Sequence, residues 1–146
     1  MKKTIQNLIL ISVLLLSFNG YINAENMKQI GDINIHYIAI DTAFLTPEIA
    51  KAYGIERSRY KGLVNISVLD NTQQGNPAKT VIITGKARND IGQIKNLEFT
   101  EVKEGDAVYY LATVNYSHEE TLYFDINIAD KGRYHNITFK QKFYVD

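Results

Sequence analysis

The sequence predicts an all-β domain: an immunoglobulin-like antiparallel β-sandwich of about seven strands, with one short helix near residues 47–53. Three observations carry this expectation. Segments of roughly eight to ten residues alternate apolar and polar side chains, the period of a strand with one buried face. Clusters of Gly, Asn, Asp and Pro separate those segments at short intervals. The intervals also leave no room for the crossover helices that parallel strands require. A small closed barrel produces the same short-range signals and is the rival shape.

Each element has its own pattern. DINIHYIAID (32–41) sets Ile33, Ile35, Tyr37 and Ala39 against Asn34, His36, Ile38 and Ile40. In TAFLTPEIAKAYGI (42–55), Thr46 suits an N-cap, Pro47 the first helical position and Gly54 the site just past the helix end. Ile49, Ala50 and Tyr53 form its apolar side, and so short a helix needs tertiary support. GLVNISVL (62–69) puts Val64, Ile66 and Val68 on one face. AKTVIITGKA (78–87) turns Val81 and Ile83 inward and includes Gly85, which invites close backbone approach.

The second half continues the rule. IKNLEFTEV (94–102) reads as one strand with Leu97 and Phe99 facing the core, and KEGD (103–106) reads as a tight hairpin. AVYYLATVNY (107–116) gives Val108, Tyr110, Ala112, Val114 and Tyr116 to one face, and Tyr109, Leu111, Thr113 and Asn115 to the other. Adjacent Tyr109 and Tyr110 cannot share one core, so Tyr109 and Leu111 face outward unless the short helix or a loop covers them. TLYFDINI (121–128) turns Leu122, Phe124, Ile126 and Ile128 inward. YHNITFKQKFYV (134–145) aligns Ile137, Phe139, Phe143 and Val145.

The N-terminus has the layout of a secretory signal peptide. Lys2 and Lys3 precede an apolar stretch from Ile5 to Phe18, and cleavage is expected after Ala24. That stretch, about 14 residues, is short for a bilayer span, so no stable membrane span is expected after cleavage. The chain is therefore expected to be secreted. Residues 25–146 would then form a single sandwich domain with 14 basic and 16 acidic residues, a net charge of −2 with His neutral. This balance gives no general attraction for nucleic acid. The chain has no cysteine, which removes disulfides, thiolate catalysis and zinc–thiolate sites.

Reactive constellations are sparse. His36, His118 and His135 lack partners at metal-ligand spacing, and no cofactor is expected. Ser58, Ser67 and Ser117 sit outside any nucleophile-elbow pattern. Glu98, Glu101, Glu104 and Asp106 gather around one hairpin and supply the carboxylates of a less favoured reading, a hydrolase with glycosidase-like chemistry; solvated hairpin ends look the same. The chain is therefore expected to be non-catalytic.

Three stretches, IHYIAIDTAFLTPEIAKAYGIERSRYKGLVNISVL, GKARNDIGQIKNLEFTEVKEGDAVYYLA and FKQKFYVD, resemble the signatures of the domain of unknown function 4426 family. These are small secreted gammaproteobacterial proteins, and the resemblance covers residues 31–146 in one register. It implies a periplasmic, immunoglobulin-like β-sandwich and no assigned activity, so no catalytic positions carry over. Ile40 stands where the family usually has phenylalanine, and the loop ADKGR (129–133) is short.

Function is then expected to lie in contacts. The leading expectation is a protein- or envelope-interaction module whose partner is a periplasmic or envelope protein. Its surface would draw on Tyr109, Leu111, Arg57, Arg59, Tyr60, Phe44 and Tyr53. An alternative is a small-ligand binder, for a sugar or a hydrophobic molecule, using Phe44, Tyr53 and Tyr60 beneath the helix. An exposed edge strand offers a route to a homodimer.

Overall fold

The computed structural model describes residues 25–145; the expected leader, residues 1–24, lies outside the described residues. Nine strands are present among the described residues: β1 (Asn26–Ile30), β2 (Ile33–Asp41), β3 (Lys61–Asp70), β4 (Ile82–Arg88), β5 (Ile94–Leu97), β6 (Thr100–Glu104), β7 (Ala107–Asn115), β8 (Thr121–Asp130) and β9 (Arg133–Lys142). A 3-10 turn (Thr42–Phe44) and one helix, α1 (Pro47–Ala52), join β2 to β3. The strands form a five-stranded sheet, β1-β2-β3-β7-β6, and a four-stranded sheet, β5-β4-β8-β9. Every pairing is antiparallel. No ladder joins the two sheets among the described residues, so both stay open and the closed barrel is not formed.

The expected count of seven is corrected to nine for two reasons. β1 adds a short edge strand whose residues, NMKQI, are exposed up to Ile30 and carry no alternation. The segment 94–102 divides at Glu98–Phe99, so that β5 belongs to one sheet and β6 to the other.

The inward rows are those the alternation indicates. Ile33, Ile35, Val64, Ile66, Val68, Leu122, Phe124, Ile126, Ile128 and Ile137 are fully buried or nearly so, in one cluster drawn from both sheets. Phe139 stacks on Phe124 with centroids 4.8 Å apart and meets Tyr37 of the opposite sheet at 4.6 Å. These contacts lock the layers together near β9. Gly85 permits the closest approach. A Cβ there would lie 2.7 Å from Ile126 Cδ1 and 3.1 Å from the Asp125 carbonyl oxygen. Any side chain would have to displace its neighbours, an overpacking of the core.

Tyr110 sits between the layers, and its hydroxyl reaches the rim. It accepts from the Val81 amide at 2.8 Å and donates to Glu101 at 3.2 Å. A large aromatic is thereby buried with its polar atom satisfied.

Candidate functional site

The outer face of the five-stranded sheet is covered over part of its area by residues 42–60, and the local sequence explains how. The Asp41 carboxylate accepts from the Ala43 amide at 2.8 Å and turns the chain out of β2. Thr42 is wholly buried; its hydroxyl donates to the Ser58 carbonyl at 3.0 Å and accepts from the Ser58 amide at 2.9 Å. Arg57 donates to the Ala43 carbonyl at 3.1 Å, closing the same loop from outside. Thr46 caps α1 by accepting from the Ile49 amide at 3.3 Å, with Pro47 following. At the other end Gly54 takes φ +66°, its amide donating to Lys51 and that of Ile55 to Ala50. This is the paired-bond termination that satisfies carbonyls left over at a helix end.

The inward side of this cap is apolar. Leu45, Ile49 and Ala50 bury against Leu63 and Leu111, flanked by Ile40, Tyr53, Ile55, Val102 and Tyr109. Side-by-side Tyr109 and Tyr110 are thus divided between two cores. The helix covers Leu111, which is 9% exposed, and half-buries Tyr109, so neither forms an open outer patch. Tyr53 donates to Glu104 across the cap. Burial, reinforced by that carboxylate, pushes the Tyr53 phenol far above its ordinary value. Burial likewise raises Tyr109, with the charges of Glu104 and Glu25 adding to it.

The outward side is different. Phe44 is 58% exposed and Tyr60 55%, while Arg57 and Arg59 are also exposed. Of the seven residues the sequence nominates, Tyr53, Tyr109 and Leu111 are therefore cap interior, and Phe44, Arg57, Arg59 and Tyr60 are its surface. The aromatic trio Phe44, Tyr53 and Tyr60 is split between those two environments.

The hairpin carboxylates are divided too. Glu101 receives the Tyr110 hydroxyl from between the layers, whereas Glu104 receives Tyr53 on the outer face. Residues three apart on a strand point to opposite sides, which separates this pair. Among the histidines, His36 lies 3.6 Å from Glu25, His118 accepts from the Val145 amide at 3.0 Å, and His135 is on β9 in the other sheet. Among the described residues no group of three or more His, Cys, Asp or Glu is gathered to hold a metal ion. No helix among them is long and apolar enough to cross a membrane.

Two polar networks were not apparent from the sequence. At one end Asp130 is buried, with Lys79 Nζ at 2.5 Å and Arg133 Nη2 at 3.3 Å; Arg133 also reaches Asp32 at 2.9 Å. At the other, buried Asn89 donates to Gln93 at 2.7 Å and to Glu120 at 2.9 Å. Glu120 further accepts from Lys95 at 3.0 Å and from the Ser117 amide at 2.7 Å. Burial alone would lift the Glu120 carboxyl. The bonds from Asn89, Ser117 and Lys95 outweigh it and hold the group below its ordinary 4.5. A depressed carboxyl contributes stability that is present above the ordinary value and lost as pH falls through the lowered one. Glu120→Gln is accordingly expected to flatten the fall in urea stability below about pH 4.5. An unchanged slope would show that other carboxylates set the acid limit.

The family model for a domain of unknown function, DUF4426, matches residues 27–146. The chain belongs to the DUF4426 family. The crystal structure of a DUF4426 family protein from Pseudomonas aeruginosa PAO1 is 31% identical with a TM-score of 0.74, over 86% of this chain and 99% of that one. FetP from uropathogenic Escherichia coli strain F11 has a similar fold, at 11% identity and a TM-score of 0.57, over 86% and 98% of the two chains. A copper-bound FetP variant gives 12% and 0.54, over 84% and 91%. At such identity the likeness of FetP to this DUF4426 chain is one of fold. No curated protein matches the chain in sequence.

Proposed function

We propose that this DUF4426 chain is a secreted, periplasmic and non-catalytic immunoglobulin-like domain that docks a periplasmic or envelope protein through its cap. The observation that carries the reading is an inversion within residues 42–60. Polar Thr42 is turned completely inward and hydrogen-bonded, while Phe44 and Tyr60 are held out beside Arg57 and Arg59. Aromatic and arginine side chains dominate the energetics of protein contacts. Holding them on a closed, capped loop lowers the ordering cost of binding. The leader-like residues 1–24 support the address.

The test is site-specific photo-crosslinking in the native host. A benzophenone side chain at position 44 or 60 is expected to give the same discrete adduct. The same group at Thr84, exposed on β4 in the other sheet, is expected to give none. The Phe44→Ala/Tyr60→Ala double variant, folded by circular dichroism, is expected to lose the partner in co-purification. Adducts equally frequent at all three positions would refute docking through the cap. Mass spectrometry of the osmotic-shock fraction checks the address, with Glu25 expected as the first residue.

A further inference from the structure

The four edges of the two sheets are unequal. β1 and β6 have five residues each and β5 has four, but β9 has ten. Proteins protect free edges by keeping strands short or by inserting proline, bulges or closely spaced charges. β9 uses none of these over its central part. Its register against β8 runs unbroken from Arg133 opposite Asp130 to Lys142 opposite Thr121, without a bulge. It contains no proline or glycine, and Tyr134–Phe139 carries no formal charge with His neutral. Tyr134, at 82% exposure, stands out on the open face of this sheet.

We infer that two copies of this chain associate through β9, edge to edge and antiparallel, about a twofold axis at Thr138. Side chains on facing strands must match in face, which restricts the registers to those in steps of two. Centring on Thr138 sets Thr138 opposite its own copy, Asn136 opposite Lys140 and Tyr134 opposite Lys142 on the open face. On the core face it sets Ile137 opposite Phe139 and His135 opposite Gln141. Threonine pairs, apolar–aromatic pairs and a cation over tyrosine are all favourable across a ladder. Centring on Lys140 would place two lysines face to face, and centring on Asn136 would place Arg133 against Phe139. A two-residue shift of register moves the axis by one residue, so Ile137 and Phe139 are the other face-matched centres: the first sets Arg133 opposite Gln141, the second Ile137 opposite Gln141 and Thr138 opposite Lys140. The Thr138 register avoids all four arrangements. The two four-stranded sheets then become one continuous sheet of eight. This association uses neither the cap nor its partner and stands apart from the docking proposed above.

Sedimentation velocity over a concentration series tests it. The purified protein is expected to sediment as a dimer at high concentration. Thr138→Lys, which sets two ammonium groups opposite each other at an exposed position, is expected to sediment as a monomer with an unchanged circular dichroism spectrum. Mixing Thr138→Lys with Thr138→Glu is expected to restore the dimer. Because the chain has no cysteine, Thr138→Cys gives a clean second readout. Facing positions on antiparallel strands lie within disulfide reach, so oxidation should link that variant, while Thr84→Cys on an interior strand should stay unlinked. A wild-type protein monomeric at every concentration would overturn the proposal. So would a dimer that Thr138→Lys leaves intact.

Discussion

Asp130→Ala is expected to lower the unfolding free energy by about 3–5 kcal/mol, the usual consequence of removing one member of a buried ion pair. The Asp130 side chain is wholly buried, and it is the carboxylate that Lys79 and Arg133 both reach. Lys79 is itself only 17% exposed, so deleting the acid strands a desolvated ammonium group. Replacing both partners with apolar side chains, Asp130→Leu with Lys79→Met, is expected to recover most of the loss, because two desolvation terms disappear together. Urea denaturation of the two variants separates the effects. A loss below about 1 kcal/mol for Asp130→Ala, the range of an exposed pair, would mean that the pair behaves as a surface contact.

Leu111→Ala is expected to cost about 2–5 kcal/mol, the range for truncating a buried leucine. Its second effect should be local. Leu111 is one of two buried sheet residues, with Leu63, on which Leu45, Ile49 and Ala50 gather, so the cavity opens directly beneath α1. A six-residue helix has little stability of its own. Amides at Ala50, Tyr53, Gly54 and Ile55, which close that helix, should then exchange with solvent well ahead of those in β3 and β8. Cross-linking through positions 44 and 60 should fall in parallel. Thr113→Ala on the same strand, already exposed, is expected to change stability by no more than about 0.5 kcal/mol. Equal exchange rates across the cap and the central strands in Leu111→Ala would show that the cap does not rest on this residue.

The layered core was legible because its signal is simple. Alternation in 33–39, 64–68 and 122–128 maps onto inward side chains with no exception among the apolar members. The helix was legible from Thr46, Pro47 and Gly54, whose chemistry is local. β1 was not legible, since a short exposed edge strand needs no alternation. The division at Glu98–Phe99 was hidden for a subtler reason. Leu97 and Phe99 point between the layers and Glu101 follows on the same side at the rim, so the period survives the crossing and reads as one strand.

The site was legible only in part. The sequence nominated aromatic and arginine residues around 44–61 but could not say which faces α1 would bury. That required knowing that β3 and β7 lie beneath it, with β6 alongside. Asp130 escaped notice because it closes a turn in sequence. Extending the row Leu122, Phe124, Ile126, Ile128 by one more step would have reached it.

The passage at Glu98–Phe99 also bears on how the molecule comes apart. One short run of backbone belongs to both leaves, leaving β5 on one side and entering β6 on the other. Peeling either leaf therefore drags a strand out of its neighbour, and shear between them is resisted along the chain itself. In a protein without a single cysteine, this stitch performs by threading what a disulfide clasp performs elsewhere.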